Sequence, residues 1–199
     1  FESAHLESLH MVAYKGLHEH FVHRVESGEN PDAKDEDGRT CLHWACAGGH
    51  EELAQYLLGR GVKVDTKDEA DWTPLMSAVS AGHFRVAELL LAAGASARAT
   101  NEGGNCALHY HRGREAAVEL LAPKMDHVDV QNNVGETPLM RAAGKGQIDT
   151  ARALLAHGAS TMLENKEGKS ALDFAQEGEH DAVVRLLREN GAGAATISM

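Results

Sequence analysis

Aromatic side chains are scarce in this chain of 199 residues: two Trp, three Tyr and four Phe, 5% of the sequence. Packing must therefore rest on aliphatic and small residues. Cysteine is scarce too. Cys41, Cys46 and Cys106 are odd in number and form no C-x-x-C, which argues against a disulfide framework and for a reducing compartment. Bases are outnumbered, 19 Lys and Arg against 30 Asp and Glu, for a net charge of −11. Phosphate recognition needs clustered cations, so nucleic acid is excluded as the default ligand and a protein partner with a basic surface is favoured. No apolar run approaches the ~20 residues that span a bilayer, so no membrane role is expected. The chain starts at Phe1 without a charged segment, apolar core and cleavage site of a secretory leader. The cytoplasm, or the nucleus, is the expected location.

What is present is a repeat. The segment TCLHWACAGGH at 40–50 aligns with TPLMSAVSAGH at 73–83 at a step of 33. Leu9, Leu42, Leu75, Leu108, Leu139 and Leu172 continue the period, with one interval shortened to 31. Gly16, Gly49, Gly82, Gly113 and Gly146 form a second column, and Gly28, Gly61, Gly94, Gly158 and Gly191 a third. The pattern T-P-L-H-x-A at this spacing, followed by a Gly-His turn and a helix ending in leucines, resembles the ankyrin repeat.

An all-α solenoid of six helix-turn-helix units with short hairpin loops is therefore expected, as a single domain over residues 1–190. The units fall near 5–34, 35–67, 68–100, 101–131, 132–164 and 165–190, and a mobile tail is expected over 191–199. In the third unit Thr73 caps the inner helix, Pro74 occupies its first turn and Gly82 ends it. The outer helix runs from about Phe84 to Ala92, with Val86, Leu89 and Leu90 as its buried stripe. The first and last units read as polar caps: the first carries His18, His20 and His23, the last Asp181, Arg185, Arg188 and Glu189.

The fourth unit breaks the rule. Leu108 and Gly113 are five steps apart where Leu75 and Gly82 are seven, so the inner helix has lost about half a turn. Met125 stands where the other units have glycine, and in a left-handed conformation it would cost roughly 1–2 kcal/mol. Pro123 shortens the outer helix. A locally distorted, less stable unit is expected.

Neither a nucleophile elbow, nor a phosphate loop, nor H-E-x-x-H occurs, so no catalytic residues, cofactor or metal site are expected. His18, His20 and His23 do not share one helix face and lack a fourth ligand at zinc-like spacing. Binding is the remaining chemistry. One column free of the repeat's structural demands is Met11, Trp44, Ser77, Tyr110, Arg141 and Phe174; a second is Arg39, Trp72, Asn105, Glu136 and Lys169. Stacking would set both on a concave side, where Trp44, Trp72, Tyr110, Arg39 and Arg141 are residue types that interface hot spots use. Beside them the loop tips read Asp35-Glu36-Asp37 and Asp68-Glu69-Ala70-Asp71. Residues 1–71 hold fifteen acids and seven bases, which concentrates the acidity toward the N-terminal half as a docking strip for Lys and Arg.

A narrower resemblance rests on the run from Arg39 to Cys46 (Arg-Thr-Cys-Leu-His-Trp-Ala-Cys), Gly49-His50, Lys67-Asp68, Ala70, Trp72 and Pro74-Leu75. It continues in Ala13-Tyr14, Gly16, Leu108-His109-Tyr110, Ala159-Ser160-Thr161 and Glu164-Asn165-Lys166-Glu167. These resemble the gankyrin family, the ankyrin-repeat assembly chaperones of the 26S proteasome regulatory particle. The resemblance implies a monomer without catalysis that grips the C-terminal domain of a proteasomal ATPase subunit. Carried over, the contact set is Asp35, Asp37, Arg39, Trp44, Asp68, Glu69 and Trp72; Asp71, Tyr110 and Arg141 extend it along the columns. That family typically has seven repeats, whereas six are counted here. The alternative is a signalling or targeting adaptor with an unrelated protein partner.

Overall fold

The computed structural model describes residues 7–192, which form two compact units, one ending at Glu102 and the next beginning at Gly103. The first holds three antiparallel helix pairs: α1 (Leu9–Tyr14) with α2 (His18–Glu26), α3 (Cys41–Gly48) with α4 (Glu51–Gly59), and α5 (Pro74–Ala81) with α6 (Phe84–Ala92). The second opens with a 3-10 turn, Ala107–Tyr110, paired with α7 (Glu115–Leu121), which runs on into a second 3-10 turn, Ala122–Lys124. Two further pairs follow, α8 (Pro138–Gly144) with α9 (Ile148–Ala156), and α10 (Ala171–Glu177) with α11 (Asp181–Glu189). Among the described residues there is no strand, only an isolated antiparallel bridge between Glu164 and Ser170. The all-helical repeat architecture expected from the period is the one observed.

Each pair forms for reasons visible in its sequence. The Thr73 hydroxyl accepts the Met76 N–H, Pro74 fills the first turn, and Gly82 closes α5 in the left-handed region at φ 85°. The outer helix spans Phe84–Ala92 as expected, although Ala87 rather than the half-buried Leu89 completes its stripe with Val86 and Leu90. Between pairs, the histidine after the helix-ending glycine acts as a clasp. His50 Nε2 donates to the Tyr14 carbonyl at 2.7 Å, its ring lying where a Cβ on Gly16 would fall. His180 repeats this on the Gly144 carbonyl at 3.2 Å, against Gly146. Glycine is needed there for both its positive φ and the ring's approach.

In the first unit the inner helices stack in the order α1, α3, α5, with α4 against α6 outside; in the second, α8 stacks on α10, and α7, α9 and α11 follow one another. Leu42, Leu57, Leu75 and Leu90 are fully buried in the first unit, Leu108, Leu121, Leu139 and Leu154 in the second. Alanine fills the gaps at Ala45, Ala78, Ala142 and Ala175, and Phe21 alone among the described aromatics has no exposed surface. Close approach of small residues explains how so few rings suffice.

The terminal units keep more of the repeat than their polarity implied. Ser8 caps α1 by accepting the Met11 N–H, and Ser170 and Asp173 form a reciprocal capping box at α10. The fourth unit is distorted as expected: its inner helix is reduced to the 3-10 turn, and α7 has 7 residues where α4, α6, α9 and α11 have 9. Met125 escapes the cost of a left-handed residue. Its φ of −122° and ψ of 148° are extended, not left-handed, because Pro123 diverts the chain through Ala122–Lys124 before the glycine turn is reached. Of the tail expected from Gly191, residues 193–199 lie outside the described residues.

Candidate functional site

The two free columns meet in space. Arg39 precedes Trp44 by five residues, Trp72 precedes Ser77 by five, and Glu136 precedes Arg141 by five. In each pair the loop residue folds over the first turn of the inner helix. The Arg39 guanidinium lies 5.1 Å from the Trp44 ring centre, the Trp72 indole donates to Ser77 Oγ at 3.0 Å, and Arg141 Nε lies 3.5 Å from Glu136 Oε2.

In the first unit this builds one connected cluster. Trp44 Nε1–H donates to Asp35 Oδ2 at 2.7 Å, and the Tyr14 ring stands edge-on to the indole at 5.6 Å. Arg39 Nε donates to Asp68 Oδ2 at 3.1 Å, so its guanidinium is held between an aromatic face and a buried carboxylate. An open groove of about 490 Å³ lies beside the cluster, lined by Ser8, His10, Met11, Asp35, Glu36, Asp37 and Trp44. Met11 is 42% exposed and Tyr14 45%, so the groove's neighbourhood is apolar with an acidic rim.

The acidic residues divide into two kinds. Asp35 Oδ1 accepts the backbone N–H groups of Asp37 (3.0 Å) and Arg39 (2.8 Å). Burial opposes its ionisation, but these N–H groups and the indole outweigh it and hold the carboxyl below the usual carboxylate range. Asp68, only 6% exposed, accepts from the N–H groups of Ala70 and Trp72 in the same way. These two carboxylates are turn formers whose charge is largely spent within the chain. Asp37, Glu69 and Asp71 are exposed at the tips, Asp71 pairing with Lys67 at 3.3 Å. Asp71 also has φ 59°, where Gly38, Gly104, Gly135 and Gly168 stand in the other loops.

In the second unit the Arg141 guanidinium sits 5.8 Å from the Tyr110 ring centre and donates to the His109 carbonyl at 3.3 Å. A smaller groove is lined by Glu136, Met140, Arg141, Gly144, Lys145 and Phe174. Every member of the expected binding set thus falls in one of two clusters: Asp35, Asp37, Arg39, Trp44, Asp68, Glu69, Asp71 and Trp72 in the first unit, Tyr110 and Arg141 in the second. Tyr14 was missed by the sequence reading. Its signal was an aromatic on the exposed face of α1, one turn after Met11.

Cys41 and Cys46 have no exposed surface, and burial pushes the Cys41 thiol up to about 12, far from a reactive thiolate. His20 and His23 are exposed, and among the described residues no group of three or more His, Cys, Asp or Glu is placed to hold a metal ion. No described helix is long and apolar enough to cross a membrane.

Comparison with known proteins agrees with the architecture. The family model described as "Ankyrin repeats (3 copies)" matches twice, at residues 9–101 and 105–196. The human ankyrin repeat domain-containing protein 13B is 37% identical over 97 residues, 47% of this chain, and the chain spans about 15% of that relative's length. The human 26S proteasome non-ATPase regulatory subunit 10 is 38% identical over 52 residues, covering 26% of this chain and 23% of the subunit. Among solved structures, a chain from the complex of the Bdellovibrio bacteriovorus predatory endopeptidase Bd0816 with immunity protein Bd3460 superposes with a TM-score of 0.83. It is 28% identical and covers 92% of this chain and 97% of its own.

Proposed function

The chain belongs to the ankyrin-repeat family, and on that premise we propose that it is a non-catalytic binding module whose first unit grips a basic protein partner. The observation that carries this reading is the Tyr14–Trp44–Arg39 cluster beside an acidic-rimmed groove. Aromatic and Arg side chains fixed in place before binding lose little entropy on docking, so they make effective anchors. The exposed carboxylates of Asp37, Glu69 and Asp71 would draw in Lys and Arg and exclude acidic surfaces.

The finer reading is a gankyrin-like chaperone that holds an ATPase subunit of the proteasome base. It is supported by the 52 residues that resemble proteasome subunit 10 and by Arg39, Trp44 and Trp72 on one face. A second reading follows from the endopeptidase–immunity complex, because that likeness spans nearly the whole of both chains: a binder that blocks a peptidase.

Titration calorimetry of the purified chain against each recombinant C-terminal domain of the base ATPases separates them. The chaperone reading expects micromolar or tighter binding to one domain, lost in Trp44→Ala. No binding to any domain overturns it. Inhibition of a peptidase recovered with the chain then supports the second reading.

A further inference from the structure

The fourth unit carries a feature that the binding role does not use. At the position three residues after the anchoring leucine, the other units place Ala45, Ala78, Ala142 and Ala175, each with almost no exposed surface, or Val12. The fourth unit places His111 there, two residues from His109, and both imidazoles are buried. A ring cannot occupy the alanine slot between two regular inner helices. The segment instead closes as the 3-10 turn Ala107–Tyr110, and Arg112 takes φ 48° to lead the chain out.

Both rings are wired alike. His109 Nε2 donates to the Glu136 carbonyl at 3.2 Å, while its Nδ1 accepts the Cys106 N–H at 3.2 Å. His111 Nε2 donates to the Pro138 carbonyl at 3.3 Å, while its Nδ1 accepts the Gly113 N–H at 3.1 Å. The two acceptor carbonyls flank the start of α8. In each ring one nitrogen must carry hydrogen and the other must not, so a second proton on Nδ1 would confront a backbone N–H. We infer that His109 and His111 form an acid-released latch, which pins the start of α8 while both rings are neutral and lets it go when they are protonated.

Compensation for an incoming proton comes from the Glu136 and Pro138 carbonyls, and burial together with nearby cations outweighs it. From α8, Arg141 bears on both rings and Lys145 on His111, both cationic; in the loop before it, Glu136 pairs its carboxylate with Arg141. On α7, Glu115 is exposed and Glu119 Oε2 meets His157 Nε2 at 3.2 Å; Arg112 and Arg114 on the connecting loop are exposed cations, and Cys106 Sγ lies 3.2 Å from His109 Nδ1. Burial first, then these cations and the second imidazole, push His109 to about 4; burial and the two cations do the same for His111. Because the folded values lie below the ordinary value near 6.5, the latch is fully effective above pH 6.5. It is lost as pH falls toward 4. The Arg141–Tyr110 contact and the bond from Arg141 to the His109 carbonyl hang on the same segment, so acid loosens that face of the second unit. None of this depends on whether that face meets a partner.

The test is an imidazole nitrogen NMR titration of the full chain from pH 7.5 to 4, with amide hydrogen exchange followed alongside. The latch requires the assigned rings of His109 and His111 to hold the Nε2–H tautomer below pH 5.5; His43, whose Nδ1 accepts the Thr40 N–H and whose Nε2 donates to the Trp72 carbonyl, is wired alike in the first unit and is assigned apart from them. Protection at the start of α8 should fall at least tenfold between pH 6.5 and 4.5, after correction for intrinsic exchange. The start of α10 is the internal control, because Met140 stands there in place of a histidine. His111→Gln keeps a donor without a titrating ring and should move the loss to lower pH. His109 and His111 titrating near 6.5 with α8 protection unchanged would overturn the inference, as would α8 and α10 losing protection together; both are read on the wild-type chain even where the variant does not fold.

Discussion

At the residue scale, the column Asp35, Asp68, Asn132, Asn165 shows which of the loop carboxylates are architecture. In all four, side-chain Oδ1 accepts the N–H groups two and four residues on, closing the loop. Asparagine does the same work as aspartate, so acceptor geometry is what the loop needs. That interchange was present in the sequence, but a tip reading Asp-Glu-Asp looks like a uniform acidic strip until the turn is seen. Asp68→Ala should therefore destabilise the fold by about 1–3 kcal/mol in urea denaturation, since two N–H groups lose their acceptor. Asp37→Asn should stay within about 0.5 kcal/mol of the parent. Equal effects would refute the division. Asp71 runs the other way. A left-handed non-glycine residue costs roughly 1–2 kcal/mol, and its exposed Lys67 pair returns less than about 1. Asp71→Gly, by removing that strain, should raise stability by up to about 1 kcal/mol while weakening a basic partner; a fall in stability would show that the carboxylate is structural.

At the element scale, helix pairs and their ends were legible because each is set by local chemistry: Thr73-Pro74 opens α5, Gly82 closes it, and the His83 ring then packs against Gly49. The fourth unit was legible as a defect but not in its form. Counting residues reveals a shortened inner helix; it does not reveal that His111 is buried there beside His109, since these neutral imidazoles depend on carbonyls that arrive from the next unit, Pro138 for His111 and Glu136 for His109. Met125 avoids the left-handed strain for a related reason, because Pro123 reroutes the chain before the glycine position is reached. A short 3-10 turn has fewer and poorer hydrogen bonds than an α-helix. Amides over 107–126 should accordingly exchange faster at neutral pH than those of α3 to α6. Finding them the best-protected stretch of the chain would contradict this. With two rings held to about 4, acidification from pH 6.5 should remove on the order of a few kcal/mol from the second unit, visible as a falling thermal midpoint.

At the scale of the whole molecule, the period of 33 accounts for the composition that first looked deficient. Close-packed leucine and alanine replace rings in the core, which leaves Trp44, Trp72 and Tyr14 partly exposed on a face that does not need them for packing. The negative charge has a similar distribution: part of it closes loops, and the remainder stands at the tips beside those rings. Family and fold rest on the repeat itself, whereas the partner rests on a handful of side chains that the repeat leaves free, which is why architecture was far easier to read than recognition. The measurement that bears most directly on that recognition is the salt dependence of binding to a base-ATPase C-terminal domain, for the parent chain and for Trp44→Ala and Asp37→Asn/Asp71→Asn variants. The account predicts that Trp44→Ala costs at least tenfold in affinity at every salt concentration, while the double Asn variant binds more weakly at low salt and has a flatter salt slope. Parent and variants binding with the same affinity and the same slope would contradict it.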